Sequence, residues 1–202
     1  MPALERLFVA LEEQGWAVSD DLIDTTLAAR LHAEGRAAWE AGLFHPARIG
    51  RGEATARDAG IRGDSILWLD DAPAGAARAD FQAWAAGLRE ALNERYFLGL
   101  KREEFHFSHY PVGTAYKKHV DQHRATLHRK ISLVLYLNPE WSERDGGELA
   151  LYAQDDGATE LHRVLPQRAR LVVFRSDLVP HEVLPCHKTR WALTGWFRTD
   201  PA

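Results

Sequence analysis

Apolar residues recur with two different periods along this chain. Leu4, Leu7, Phe8 and Leu11 step by three and four, as one face of an amphipathic helix does, and Asp20 and Asp21 can cap a second helix carrying Leu22, Ile23, Leu27 and Leu31. Ser65-Ile66-Leu67-Trp68-Leu69 reads as a strand, and Phe81, Trp84, Leu88, Leu92 and Tyr96 place a further helix before residue 98. From Phe105 onward the helical period gives way to short apolar runs bounded by turn residues, at 105–110, 131–137, 148–152, 161–165, 171–174, 182–184 and 191–197. Short strands at this spacing predict a sandwich or jelly roll, mainly β with α, with the earlier helices packed against one of its sheets.

Between His45 and Asp64 both periods stop. Gly50, Gly52, Gly60 and Gly63 are interleaved with Arg48, Arg51, Arg57 and Arg62, which predicts a long loop, either a plain solvated connection or a lid. The 202 residues fit one domain, with 1–98 as mostly helical support and loop and 99–200 as the jelly-roll core.

Composition narrows the partners. A chain that is 46% hydrophobic and 10% aromatic can build a core, which excludes a disordered tail protein. Lys and Arg number 25 against 29 Asp and Glu, so there is no basic field for a phosphate backbone and no nucleic-acid partner is expected. No apolar run approaches the ~18 residues of a membrane span, and the N-terminus lacks the basic and apolar regions of a signal peptide, so no membrane association is expected. Cys186 is the single cysteine and cannot close an intrachain disulfide, which fits a reducing cytoplasm. The expected state is a monomer.

The chemistry concentrates in the β half, which holds eight of the ten histidines. His119-Val120-Asp121 puts imidazole and carboxylate on one side of an extended segment, since strand side chains alternate. Random placement yields about 0.7 such pairs in a chain of this composition, so the pair alone is weak evidence. His181 sharpens it: it opens a later strand, and two histidines with one carboxylate are the facial triad of non-haem Fe(II) oxygenases. Along Thr189–Phe197, alternation places Arg190, Ala192, Thr194 and Trp196 on one face and Trp191, Leu193 and Phe197 on the other. A lumenal Arg190 needs an anion, no Asp or Glu lies in its stretch, and its planar fork suits a carboxylate. Tyr136 shares the lumenal face with Ser132 and Val134, where its hydroxyl can meet the same carboxylate.

These residues resemble the Fe(II)/2-oxoglutarate-dependent oxygenases, and within them the prolyl hydroxylases of hypoxia-inducible factor and their bacterial relatives. The similarity extends over about residues 60–198 through Ile61-Arg62-Gly63-Asp64 with Trp68, Tyr110-Pro111, Gly113-Thr114-Ala115-Tyr116, His119-Val120-Asp121, Tyr136-Leu137-Asn138, Gly146-Gly147-Glu148-Leu149 and Pro180-His181-Glu182-Val183 leading to Thr189-Arg190. The resemblance implies a double-stranded β-helix (jelly roll) fold, with N-terminal and central helices packed on its major sheet, in which His119, Asp121 and His181 hold Fe(II). Arg190 and Tyr136 would bind the distal carboxylate of 2-oxoglutarate, Tyr110 its iron-bound end, and Val134, Leu149, Thr194 and Trp196 would wall the pocket. Arg129 would pair with Asp64 and anchor the substrate loop that carries Arg62. The implied reaction consumes O2 and 2-oxoglutarate, releases succinate and CO2, and forms trans-4-hydroxyproline in a protein, with ascorbate as a reductant and elongation factor Tu as the candidate partner. Two alternatives stay open: an oxygenase of a free amino acid or small metabolite, and a non-catalytic metal-binding jelly-roll sensor. His123 and His128 flank the metal pair as loop or supporting residues, and Cys186 has no neighbouring motif for catalysis.

Overall fold

Three helices gather on one side of the chain's major sheet. The structure is a computed structural model that describes residues 1–47, 58, 60–122, 126–155 and 157–201. Helix α1 spans Ala3–Gln14, α2 Thr25–Glu40 and α3 Ala76–Tyr96. Each buries a stripe at the expected spacing, such as Ala77, Phe81, Ala85, Leu88 and Leu92 on α3. The second helix begins later than Asp20 and Asp21 suggest: Asp24 is its cap, accepting from Leu27 N–H at 2.8 Å, so Leu22 and Ile23 precede the helix. Helix α3 starts after Gly75, which has no side chain to offer; Glu34 of α2 caps it instead, accepting from Ala77 N–H at 2.9 Å and Arg78 N–H at 3.1 Å. That contact ties the two helices together where both meet the sheet.

The strands are β1 (Trp16–Ser19), β2 (His45–Pro46), β3 (Ser65–Trp68), β4 (Arg102–Tyr110), β5 (Tyr116–His119), β6 (Arg129–Tyr136), β7 (Leu149–Tyr152), β8 (Glu160–Val164), β9 (Leu171–Arg175), β10 (His181–Val183) and β11 (Arg190–Arg198). Among the described residues they form two antiparallel sheets, a seven-stranded one in the order β1-β9-β6-β11-β4-β3-β2 and a four-stranded one in the order β5-β10-β7-β8. Every expected strand of the β half is present. The N-terminal half adds two that the apolar pattern did not announce, β1 against β9 and β2 against β3.

Alternation splits the buried residues into two cores. Leu133 and Leu135 of β6, Leu193 and Phe197 of β11 and Phe105 and Phe107 of β4 face the helices. Val134 and Tyr136, Ala192, Val172 and Phe174 face the second sheet and line the lumen with Leu149 and Leu151. The jelly roll with helices on its major sheet is thus as the sequence predicts. No helix among the described residues is long and apolar enough to cross a membrane. Most of the loop read as a lid or a plain connection, residues 48–57 and 59, lies outside the described residues, as does His123.

Candidate active site

Strand β10 sets the geometry of the site by pairing with β5 across an irregularity. His181 lies opposite His119, and Val183 lies opposite Tyr116, so Lys117 and Lys118 together face the single Glu182. Such a bulge re-aims side chains. Here it brings Tyr116 and His119 to one side, their rings stacked with centroids 3.8 Å apart and planes 19° from parallel. Strict alternation would put these two residues on opposite faces, which is why Tyr116 carried no site signal beyond its place in a motif.

His119, Asp121 and His181 offer ligand atoms that all lie within 4.8 Å of one another. His119 Nε2 is 3.5 Å from Asp121 Oδ1, and His181 Nε2 is 3.8 Å from Asp121 Oδ2. These gaps exceed a good hydrogen bond and suit three ligands facing one ion. His119 Nδ1 is 2.8 Å from the Lys117 carbonyl and His181 Nδ1 is 2.9 Å from the Val179 carbonyl. A carbonyl only accepts, so each Nδ1 carries the proton and each Nε2 turns a lone pair toward the carboxylate. Burial lowers the His181 pKa to about 4, and the neighbouring His119 pushes the same way, so this imidazole is neutral near pH 7. Burial alone would raise the Asp121 pKa, but the positive charge the two imidazoles carry when protonated, together with the Ser132 hydroxyl, outweighs it and holds the carboxyl well below its ordinary range.

Arg190 lies beside this triad on the same cavity, which Val134, Leu149 and Thr194 also line. Its register partner is Tyr110 on β4, and Tyr136 lies opposite Ala192 two residues along β11. The guanidinium is 1% exposed and sits 4.9 Å from the Tyr110 ring centre and 5.0 Å from that of Tyr136. Arg190 Nε donates to the Gly147 carbonyl at 2.9 Å. Among the described residues its Nη2 and the Tyr136 hydroxyl are both buried with no hydrogen-bond partner, and no carboxylate forms a salt bridge with Arg190. Two neighbouring orphaned polar groups, one of them cationic, are costly unless an anion completes them. The residues therefore fit a carboxylate-bearing cosubstrate beside a divalent ion. Asn138 fixes this strand end, donating to the Pro166 carbonyl and accepting from Trp191 N–H, both at 2.7 Å.

Two expectations are corrected. Trp196 shares the lumenal face but lies beyond Thr194, where it packs near Trp68 and His106 rather than lining the cavity. Arg129 does not pair with Asp64: its Nε and Nη2 donate to Glu104 Oε1 at 3.1 and 2.9 Å, and its guanidinium lies 3.4 Å from the Trp196 ring centre. Asp64 is instead held by Arg62, through Nε at 2.7 Å and Nη2 at 3.0 Å. Two residues apart in an extended segment, their side chains share a side and close a bidentate pair locally, which leaves Arg129 to the carboxylate on nearby β4. Arg62 also lies 4.8 Å from the Tyr116 ring centre, and Gly63 N–H donates to the Ala115 carbonyl at 3.0 Å. The end of the loop is thereby fastened to the strand that bears His119. Among residues the sequence did not single out for the site, Phe174 also lines the cavity, its ring packing edge-on against His181 at 4.6 Å.

The family description "2OG-Fe(II) oxygenase superfamily" matches residues 105–198. A crystal structure of a Pseudomonas putida prolyl-4-hydroxylase is 40% identical, with a TM-score of 0.86, and the match covers 98% of this chain and 100% of that one. The hypoxia-inducible factor prolyl hydroxylase of Caenorhabditis elegans is 31% identical over 205 residues, covering 96% of this chain and 28% of the relative. Human Egl nine homolog 1 is 27% identical over 202 residues, covering 96% of this chain and 46% of the relative. This chain therefore spans less than half the length of those two relatives, yet matches the bacterial structure from end to end. The triad, the orphaned guanidinium and this similarity together place the chain in the 2OG-Fe(II) oxygenase superfamily.

Proposed function

We propose that this chain hydroxylates a prolyl residue in a protein, consuming O2 and 2-oxoglutarate and releasing succinate and CO2, with trans-4-hydroxyproline as the product. The observation that carries the reading is the buried Arg190 Nη2, without a hydrogen-bond partner among the described residues, on the cavity that also holds His119, Asp121 and His181. A planar fork of that kind accepts a carboxylate bidentately. The prolyl assignment is supported by end-to-end similarity to a prolyl-4-hydroxylase.

In this reading His119 and His181 present Nε2 lone pairs, and Asp121 a carboxylate, to Fe(II). When bound, that ion supplies the activation of O2, with 2-oxoglutarate as the reductant. Arg190 and the Tyr136 hydroxyl take the distal carboxylate, which orients the cosubstrate, while Val134, Leu149 and Thr194 exclude water from its length. Tyr110, with a pKa raised well above its ordinary value by burial, stays protonated and offers a hydroxyl donor nearer the triad. The Arg62–Asp64 pair fixes the loop end beside Tyr116, where a substrate chain would enter. Ascorbate would keep the iron ferrous, and a cytoplasmic, monomeric enzyme with elongation factor Tu as its protein substrate completes the proposal.

The test incubates the protein with Fe(II), 2-oxoglutarate, ascorbate and purified elongation factor Tu or a bacterial lysate. Peptide mass spectrometry should find one added oxygen on a proline, dependent on 2-oxoglutarate and absent with Arg190→Ala. Succinate formation driven by free amino acids, with no protein oxygenated, would overturn the protein-substrate reading.

A further inference from the structure

Two buried hydroxyls stand behind Asp121, outside the residues that line the cavity. Ser132 occupies the lumenal face of β6, 1% exposed, in the row continued by Val134 and Tyr136. A hydroxyl placed there is destabilising unless it is bonded. Ser132 Oγ lies 2.7 Å from Asp121 Oδ2 and 2.8 Å from Ser176 Oγ. A carboxylate can only accept, so the single hydroxyl proton of Ser132 goes to Oδ2. The Ser176 hydroxyl must then donate to Ser132, and the chain of bonds runs one way, from Ser176 through Ser132 to Asp121.

Ser176 is itself fully buried and pinned by its backbone. Its N–H donates to the Lys130 carbonyl at 3.0 Å, and its carbonyl accepts from Gln122 N–H at 2.7 Å. The residue that orients Ser132 is thus fixed both to β6 and to the residue following Asp121. Asp121 lines the cavity, and neither serine is among its lining residues.

Resting on the reading that the triad binds a divalent cation, we infer that Ser132 and Ser176 are positioning residues for that cation, a directed hydroxyl pair that fixes the Asp121 carboxylate for coordination. Supporting bonds of this kind are typically worth 10–100-fold in metal affinity. Ser132 acts on the carboxylate directly, and Ser176 acts only through Ser132.

The test measures Mn(II) binding to the metal-free protein by the electron paramagnetic resonance signal of free Mn(II), with no cosubstrate and no turnover. Ser132→Ala should weaken binding about 10–100-fold, and Ser132→Thr, which restores a hydroxyl, should return it to within a few-fold of the parent. Ser176→Ala should weaken binding by a smaller factor in the parent and have no further effect in the Ser132→Ala background, because its path is already cut. Parent protein that binds Mn(II) with Ser132→Ala inside twofold of it overturns the inference alone. Serine effects that simply multiply in the double variant overturn it as well. Parent protein that takes up no Mn(II) sinks the metal reading itself.

Discussion

Arg190 and Tyr136 face one another with a ring-to-guanidinium distance of 5.0 Å, and each ends in a buried polar atom that has no hydrogen-bond partner among the described residues. The first prediction follows from that shared deficiency. Removing one side of a buried charged pair costs about 3–5 kcal/mol, which corresponds to more than a hundredfold in affinity. Arg190→Met should therefore abolish measurable 2-oxoglutarate binding by calorimetry while leaving Mn(II) uptake in place. Thermal unfolding gives the independent readout: 2-oxoglutarate at about 100 times its Kd adds about 2.7 kcal/mol to the metal-loaded parent and should add nothing to the variant. An equal shift in both proteins would mean that the diacid is held elsewhere.

Gly147 makes room for that guanidinium. Its φ of +69° is left-handed, and a Cβ built there would lie 2.9 Å from Cys186 Sγ and 3.0 Å from Arg190 Cδ. Gly113 provides the control, with φ of +83° and nothing within 4 Å of the same added atom. Both alanine variants carry a left-handed backbone penalty of roughly 1–2 kcal/mol. Only Gly147→Ala should also displace Arg190 and weaken 2-oxoglutarate binding, which calorimetry on the pair of variants would show. Equal cosubstrate affinity in the two would remove the crowding argument.

What the sequence makes legible here is alternation, and what it hides is any departure from it. The period-two pattern of Ile131–Leu137 and Arg190–Phe197 sorts residues correctly between the helix-side and lumenal cores, because both strands lie inside the large sheet with a core on each face. Tyr116 was hidden because the pairing irregularity opposite Glu182 changes its face. The true cap of α2 is Asp24 because a cap depends on which residue leaves the helix, a choice among three nearby aspartates that composition does not decide. Pairing partners were the least visible feature. Asp64 has Arg62 two residues away and Arg129 in a distant strand, and only the fold shows which guanidinium reaches it.

That choice of partner can be measured. Asp64 is 3% exposed, so Asp64→Asn leaves the Arg62 charge without its counterion and should destabilise the fold by about 3–5 kcal/mol. In double-mutant cycles by urea unfolding, Asp64 with Arg62 should show a coupling of more than about 1 kcal/mol, whereas Asp64 with Arg129 should couple by less than about 0.5 kcal/mol. Arg129 should couple to Glu104 instead. A strong Asp64–Arg129 coupling with none to Arg62 would reverse the assignment.

His106 supplies a prediction about pH. Its ring is 1% exposed between Trp68 and Trp196, with Nδ1 3.1 Å from Ser108 Oγ. Burial, with the Arg62 charge adding to it, lowers its pKa from 6.5 to about 3. Below pH 6.5 the unfolded chain takes up a proton that the folded chain refuses, so the stabilisation is complete above that pH and declines as pH falls from 6.5 toward 3. Each such group contributes a slope approaching about 1.4 kcal/mol per pH unit. His181, lowered by burial to about 4, adds to the same acid limb. Urea unfolding of metal-free protein between pH 7 and pH 4 should therefore show stability decreasing with acidity, and His106→Gln should flatten that decline by about one group's slope. An unchanged slope in the variant would mean that His106 accepts its proton in the folded protein as readily as in the unfolded chain.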